Sequence, residues 1–364
     1  MKIGLITYHR ALNYGAVLQA YALQQVITGM LGKNDECSIL DYKCKKIEDM
    51  SVAIHKDKRF LKNVLKSPFR VGPLKKKAKA YREFNGKYLK TCPAQRQELT
   101  ELSRKFDRLI TGSDQLWNYR VCGDDDTYFL DFADDPKKKY SYAVSLGMEK
   151  CFNENEGRIL KNLSDFACVS LREPIGADKI RAVNPRLRTD VDPTLLLDAK
   201  SWESTFDLRN SLGKYILVYC VAPPKNIMSV ARELSKKKDL PVYILTEKVA
   251  DKLKYRDCRC VFGKDPVEFL SFIKNAEYVL TTSFHATVFS LKFHKKLYAE
   301  VDNLSGHNDR VHNLIDLTGA RQCIEDDFLL NDGELSTEQW KAVDKKTKQL
   351  SEKSIDYLRT VIQG

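Results

Sequence analysis

Short apolar runs alternate along the chain with longer segments in which apolar residues recur every three or four positions. KIGLIT (2–7) is a run of strand length, and YGAVLQAYALQQVI (14–27) has the periodicity of a helix. One stripe of this helix carries Ala16, Ala20, Leu23 and Ile27. Further strand-length runs are SILDY (38–42), FDRLIT (106–111), YSYAVSL (140–146) and FACVSLR (166–172). This alternation predicts a parallel α/β sheet.

A second alternating series begins after DVDPTLLLD (190–198). Its predicted strands are KYILVYCV (214–221), LPVYILT (240–246), EYVLTT (277–282) and KKLYAEV (295–301). Its predicted helices are IMSVARELSKKK (227–238), DPVEFLSFIKNA (265–276) and RVHNLIDLTG (310–319). The sequence therefore predicts two Rossmann-like halves, residues 1–198 with a basic helical insertion at about 45–105, and residues 199–335. A terminal helix, 336–364, is expected to pack back across the halves.

Length and composition agree with a two-domain globular protein. The chain has 364 residues, of which 43% are apolar, and this length exceeds what one core usually organises. No run approaches the ~20 apolar residues of a spanning helix, and MKIGLIT leads into polar residues, so we expect a cytoplasmic protein. The ten cysteines lack the paired C-x-x-C spacing of zinc sites, which predicts reduced thiols and no metal site.

The net charge of +12 and the pI near 9.0 favour acidic partners. Much of the excess lies in residues 55–90, where a few apolar side chains are spaced for one helical face. This segment fits a solvated basic insertion, which we favour, or a surface that rests peripherally on an anionic membrane at its inner face. No RNA- or DNA-binding signature accompanies it, so nucleic acid is disfavoured.

A histidine lies where a predicted strand becomes a helix. In TTSFHATVFS (281–290), His285 follows the buried run 277–282 and precedes an apolar helical segment. The carboxyl ends of strands are where open parallel sheets bind ligands, because N–H groups of the next helix point into the crevice there. His285 is therefore a candidate functional residue, although a histidine among apolar residues also fits a structural role.

Three loops of the first half carry further candidates at predicted strand ends. The loop before the first helix contains Asn13, Tyr14 and Gly15, with a glycine that lets helix N–H groups approach an anion. TGSDQLWN (111–118) offers an anion-cupping turn, a carboxylate and an indole that could stack on a sugar: Gly112, Ser113, Asp114 and Trp117. SLREP (170–174) ends a strand with Arg172, whose planar fork suits a carboxylate or phosphate. The structural alternatives are a helix cap for Asp114, the core for Trp117, and pairing with a neighbouring acid for Arg172.

Six motifs together resemble the polysaccharide pyruvyl transferase family. In chain order they are NYGAVLQAYALQ, TGSDQLWN, SYAVSLG, SLREP, VDPTLLL and TTSFHATVFS. The resemblance spans about residues 3–319. It implies a fold similar to the two-domain GT-B glycosyltransferases, with the two domains facing a cleft. It also implies an enzyme that transfers a pyruvyl group from phosphoenolpyruvate to sugar hydroxyls and forms a ketal.

The resemblance assigns roles to individual residues. The catalytic histidine of the family corresponds to His285. The family's arginine that binds phosphoenolpyruvate corresponds to Arg172, and the acid of its glycine-rich loop corresponds to Asp114. His285 then serves as general acid/base, and Asp114 as the base or orienting group for a sugar hydroxyl. Asn13 and Gly15 form an anion or acceptor loop. The expected partners are phosphoenolpyruvate as co-substrate and a sugar or lipid-linked oligosaccharide as acceptor; the reaction needs no cofactor and no metal.

One departure from the family pattern concerns the donor. Many members have an arginine two residues before the histidine, where this chain has Ser283 followed by Phe284. Lys292 or Arg310 could supply the missing cation. Two other classes stay open at this point, a GT-B glycosyltransferase that uses a nucleotide sugar and a non-catalytic glycan-binding relative. The sequence does not predict the acceptor sugar, the stereochemistry of the ketal or the oligomeric state.

Overall fold

The computed structural model of the chain describes residues 1–50, 75–248, 250–301, 309–324, 328 and 333–363. The chain divides into two compact units. The first is drawn from Met1–Val52, Arg82–Leu197 and Gln349–Gly364, and the second from Ala53–Tyr81 and Asp198–Lys348. The predicted domain boundaries and the predicted cleft stay predictions.

The first unit is built on a parallel sheet of seven strands. In chain order these are β1 (Lys2–Ile6), β2 (Glu36–Asp41), β3 (Thr91–Pro93), β4 (Arg108–Asp114), β5 (Lys139–Val144), β6 (Ser170–Leu171) and β7 (Arg188–Thr189). Their order in the sheet is β3-β2-β1-β4-β5-β6-β7. The chain winds outward from β1 in one direction and then outward from β4 in the other. The gap between the carboxyl ends of β1 and β4 is therefore the switch point, where such sheets bind ligands.

Helices cover this sheet because their apolar stripes have nowhere else to be buried. They are α1 (Tyr14–Met30), α2 (Lys45–Met50), α4 (Leu99–Ser103), α5 (Tyr119–Cys122), α6 (Glu149–Glu154), α7 (Glu156–Leu163) and α8 (Ala177–Val183), while α3 (75–88) begins in the second unit and ends in the first. The stripe predicted for α1, from Ala16 to Ile27, is wholly buried. Residues 91–93, which lie within the segment predicted as a basic helical insertion, form β3 and pair with β2.

The second unit repeats the same winding with five parallel strands. They are β8 (Ile216–Tyr219), β9 (Val242–Leu245), β10 (Arg259–Val261), β11 (Tyr278–Thr281) and β12 (Lys296–Ala299). The sheet order β10-β9-β8-β11-β12 places a second switch point between β8 and β11. Both doubly wound parallel sheets predicted from the alternation of apolar runs are confirmed.

Local signals at helix ends set the boundaries in the second unit. Its helices are α9 (Ala199–Thr205), α10 (Ile227–Lys238), α11 (Asp251–Lys254), α12 (Pro266–Asn275), α13 (Phe284–Lys292) and α14 (Asp309–Thr318). The predicted cap of α12 is confirmed, since the Asp265 side chain accepts from the backbone of Glu268 while the Glu268 side chain accepts from the backbone of Asp265. Gly319 ends α14 with a φ of 78°, as expected for a C-terminal glycine.

The last helix, α15 (Thr337–Gln363), has its N-terminal part in the second unit and its C-terminal part in the first. Tyr357 fixes the C-terminal part by donating to the Ser141 carbonyl at 2.8 Å. The middle of the basic segment, 51–74, lies outside the described residues, and the membrane role stays a prediction. In the part of the chain that is described, no helix has the length and apolar character needed to cross a bilayer.

Candidate active site

The switch point of the first unit is shaped by the end of β4. Gly112 has a φ of +149°, and a Cβ atom at this position would lie 2.1 Å from the Tyr142 carbonyl oxygen. A side chain is therefore excluded by both conformation and space. Asp114 follows with a φ of 77°, which is uncommon for a residue other than glycine. The Asp114 carboxylate at the end of this strand lies 3.5 Å from the Arg172 guanidinium.

Ser113 holds this turn to α1 and β5 instead of offering its amide to an anion. Its N–H donates to Gln19 Oε1 at 2.9 Å, and its hydroxyl donates to the Ala143 carbonyl. The Gln19 amide in turn donates to Thr7 Oγ1 at 2.7 Å. These groups are fully buried, so each needs such a partner. The structure thus gives Ser113 a structural role in place of the predicted anion-cupping turn.

The guanidinium of Arg172 lies among three carboxylates at the ends of neighbouring strands. Nη1 is 2.8 Å from Asp192 Oδ2, Nε is 3.4 Å from Glu173 Oε2, and Nη2 is 3.5 Å from Asp114 Oδ1. Ser145, just after β5, donates its hydroxyl to Glu173. We call Asp114, Arg172, Glu173 and Asp192 the acid–arginine cluster. It joins the carboxyl ends of β4, β6 and β7 because parallel strands end at one edge.

Charge sets the behaviour of this cluster. Burial alone would lower the pKa of Arg172, but the carboxylates of Glu173, Asp192 and Asp114 outweigh it and raise this pKa above its usual value. Three carboxylates against one guanidinium leave an excess of two negative charges when all are ionised. Such a surface suits donors such as sugar hydroxyls and opposes a nearby phosphate. The alternative of Arg172 pairing with neighbouring acids is therefore the one found.

Asp114 is the most exposed acid of the cluster, at 13% of its side chain against 4% and 0% for Glu173 and Asp192. Its Oδ1 accepts from the Gln115 N–H at 2.9 Å and faces Arg172. Among the described residues, nothing donates a hydrogen bond to Oδ2. The Gln115 N–H and the Arg172 guanidinium therefore both lie at the same oxygen of Asp114.

Three other predicted residues of this unit have structural roles. The sugar-stacking role predicted for Trp117 is a correction, because this side chain is only 1% exposed, stacks on Phe129 and donates to the Tyr128 carbonyl at 3.0 Å. Its indole ring is packed in the core, so its face is not exposed for stacking on a sugar. Tyr14 is likewise buried at the start of α1. Asn13 is exposed and caps α1 by accepting from the Ala16 N–H at 3.2 Å.

His285 occupies the switch point of the second unit. It is the second residue of α13, directly beyond the end of β11, and it is 8% exposed. The ring of Phe284 meets the imidazole edge-on, with ring centroids 5.1 Å apart. The predicted change from strand to helix at this histidine is confirmed. The structure thus places a buried imidazole in the first turn of α13, at the carboxyl edge of the second sheet.

Ser283 explains the departure from the family pattern in structural terms. Its hydroxyl caps α13 by accepting from the Ala286 N–H at 3.4 Å, and its own N–H donates to Thr281 Oγ1 at 3.0 Å. A serine at this position begins the helix, a task for which an arginine is poorly suited. This position is therefore a helix cap and supplies no positive charge.

The two proposed substitutes for that cation lie in different places. Lys292 ends α13, about 10 Å along the helix from His285 at 1.5 Å per residue. Burial lowers its pKa to about 8, against the opposing influence of Asp198 and Asp344. Arg310 is in the first turn of α14. Lys292 and His285 therefore lie at opposite ends of α13.

Three acids of these sheet edges were not among the predicted site residues. Glu173 and Asp192 complete the acid–arginine cluster, and Glu300 follows β12 and accepts from backbone N–H groups that precede and begin α10. Each lies at the end of a predicted strand or in the VDP motif, and this position could have marked it as a candidate site residue. Their partners are distant in sequence, so the pairing itself is not visible there.

Comparison with solved structures defines the class of fold. The Methanocaldococcus jannaschii UDP-GlcNAc 2-epimerase, solved with UDP-GlcNAc and UDP, is similar over 100% of both chains with a TM-score of 0.52 and 12% identity. A putative UDP-N-acetylglucosamine 2-epimerase from Listeria monocytogenes is similar over 98% of this chain and 90% of its own, with a TM-score of 0.51 and 10% identity. The chain thus has an α/β fold of the GT-B class.

Comparison with family models then places the chain within this class. The model for polysaccharide pyruvyl transferase matches residues 13–299, which is most of the chain. The chain belongs to the polysaccharide pyruvyl transferase family, as its six motifs predict. No curated protein matches it in sequence.

Proposed function

We propose that this protein transfers a pyruvyl group from phosphoenolpyruvate to two hydroxyls of a sugar in a cell-surface polysaccharide or its lipid-linked precursor. Membership of the family carries the proposal. The position of His285 at a switch point supports it, because the reaction needs a proton carrier at a ligand-binding edge.

The proposed reaction needs proton transfers at both substrates. The methylene carbon of phosphoenolpyruvate gains a proton and becomes a methyl group. Two sugar oxygens form bonds to the adjacent carbon, and the bond from this carbon to the phosphate oxygen breaks. One hydroxyl proton balances the new methyl group and the other leaves with phosphate. The products are a cyclic ketal and inorganic phosphate.

We assign His285 the proton transfer to the donor and Asp114 the removal of a proton from a sugar hydroxyl. Asp114 suits this role because Oδ1 is held by the Gln115 N–H while Oδ2 has no hydrogen-bond partner within the described residues. A carboxylate fixed through one oxygen can accept a proton at the other without moving.

Arg172 receives a different role from the one that the resemblance implies. Its guanidinium already faces three carboxylates and is almost fully buried, so a trianionic donor would meet a net negative surface there. We assign Arg172 the positioning of Asp114. Of the two proposed donor cations, Arg310 is retained, since Lys292 lies at the other end of α13 from His285.

A binding and turnover screen tests the proposed function. Phosphoenolpyruvate, UDP-sugars and no donor are compared by thermal shift, and phosphate release is followed with a panel of sugar acceptors. Stabilisation by phosphoenolpyruvate with acceptor-dependent phosphate release supports pyruvyl transfer. Stabilisation by a UDP-sugar alone favours a glycosyltransferase, and the absence of any donor effect favours a glycan-binding protein; either result contradicts the proposal.

A further inference from the structure

The loop that joins β8 to α10 in the second unit has the backbone N–H groups of residues 221–227 bonded to side chains of the protein. It follows the first strand of this unit and lies at the switch point, the position at which doubly wound folds hold phosphate on a helix N-terminus. Residues 221–227 contain five N–H groups, because Pro223 and Pro224 have none. The acceptors of these five groups decide whether the loop can receive an anion.

Two side chains from neighbouring strands take all five N–H groups. Thr282 Oγ1, just beyond β11, accepts from Val221 and Ala222 at 3.1 Å each. The carboxylate of Glu300, just beyond β12, accepts hydrogen bonds from the other three N–H groups. These bonds come from Lys225 at 2.6 Å, Asn226 at 2.6 Å and Ile227 at 2.9 Å.

Glu300 occupies this position as an anion would. Its carboxylate presents two oxygens to three convergent amides at the N-terminus of a twelve-residue helix, and the residue is 4% exposed. The Asn226 side chain makes no capping bond, so the cap of α10 is supplied by Glu300 from a distant part of the chain. Positive helix-end charge and three donors explain why a buried carboxylate is tolerated here.

We propose that Glu300 is a specificity-determining residue, which holds the phosphate position of the β8–α10 loop as an internal anion and excludes the diphosphate of a nucleotide from it. A phosphate group would have to displace a carboxylate that already makes three short bonds, and it would meet like charge. The inference concerns binding alone and stands whether or not the chain transfers a pyruvyl group.

Removal of the carboxylate tests the proposal. Inorganic phosphate, pyrophosphate and UDP are compared with chloride at equal ionic strength by thermal shift, on the wild type, Glu300→Ala and Glu300→Gln. Glu277→Ala is the matched control, because Glu277 lies beside the same sheet but pairs with lysines. We expect Glu300→Ala to have a lower melting temperature that pyrophosphate and UDP raise by several degrees more than in the wild type or the control. In Glu300→Gln the side chain still fills the space, so we expect no such gain.

Equal effects of these anions on Glu300→Ala and Glu277→Ala would overturn the proposal. Hydrogen exchange of residues 221–227 gives a second test that does not depend on the alanine variant folding. We expect the Lys225, Asn226 and Ile227 amides to exchange at least about tenfold faster in Glu300→Gln than in the wild type, since a neutral amide accepts more weakly than a carboxylate. Unchanged exchange would show that Glu300 does not hold the loop and would also overturn the proposal.

Discussion

The Arg172 guanidinium donates to the Asp192 carboxylate at 2.8 Å, and both side chains are almost completely buried. Asp192 is itself fixed, because its other oxygen accepts from the Thr194 N–H at 3.0 Å and from the Thr194 hydroxyl at 2.6 Å. The position of Arg172, and through it that of Asp114, therefore depends on a carboxylate whose side chain is fully buried.

Asp192→Ala should destabilise the first unit strongly. Removing one partner of a buried ion pair leaves the other charge uncompensated, which typically costs about 3–5 kcal/mol. Urea denaturation measures the loss. Arg120→Ala is the control, because the Arg120–Glu154 pair is more than 40% exposed on both sides, so its loss should change the free energy of unfolding very little. Equal losses in the two variants would contradict the structural role of Asp192.

Arg172→Lys separates positioning of Asp114 from binding of the donor. A lysine keeps the charge but cannot reach three carboxylates with a planar fork. If Arg172 positions Asp114, kcat should fall about tenfold or more while the KM for phosphoenolpyruvate changes little. Adding Asp114→Asn to Arg172→Lys should then lower kcat little further, because both substitutions remove the same function. A rise in the KM for phosphoenolpyruvate with kcat retained would instead show that Arg172 binds the donor.

Lys292 should make stability depend on alkaline pH. Its pKa is lowered by burial to about 8 from the usual 10.5, so the unfolded chain holds this proton over a range in which the folded protein has lost it. Stability contributed at this site therefore rises from pH 8 to pH 10.5. Lys292→Met should flatten that rise in urea denaturation and stabilise the protein at pH 7. An identical pH slope in both proteins would contradict the assignment.

Gly112→Ala should prevent the β4 turn from forming. The new Cβ atom would lie 2.1 Å from the Tyr142 carbonyl oxygen, and a φ of +149° is strained for alanine. We expect a loss of about 3 kcal/mol or more, or no soluble protein. Gly157→Ala is the control, since this glycine is in α7 with nothing near its Cβ position and should gain up to about 1 kcal/mol. A stable Gly112→Ala variant would show that this turn is not tightly packed.

Both sheets could be predicted from sequence because apolar runs and helical stripes report burial locally. The α12 cap at Asp265 and the end of α14 at Gly319 could also be predicted, because capping residues act within a few positions of the helix end. Trp117 was not, because an aromatic residue after a strand fits either a binding surface or a core, and only its neighbour Phe129 decides between them. The pairing of Arg172 with Asp114 and Asp192, and that of Glu300 with the start of α10, are also invisible in sequence, since these partners are distant along the chain.

His285→Ala gives the most direct test of the central claim, that a histidine at the β11–α13 junction carries a proton in pyruvyl transfer. Phosphate release from phosphoenolpyruvate with a sugar acceptor, and the melting temperature, are measured on the same preparations. We predict that phosphate release falls ~10²-fold or more, as is usual on losing a general acid/base, while the melting temperature and donor binding change little. A variant with a lower melting temperature and full activity in its folded fraction would contradict the account.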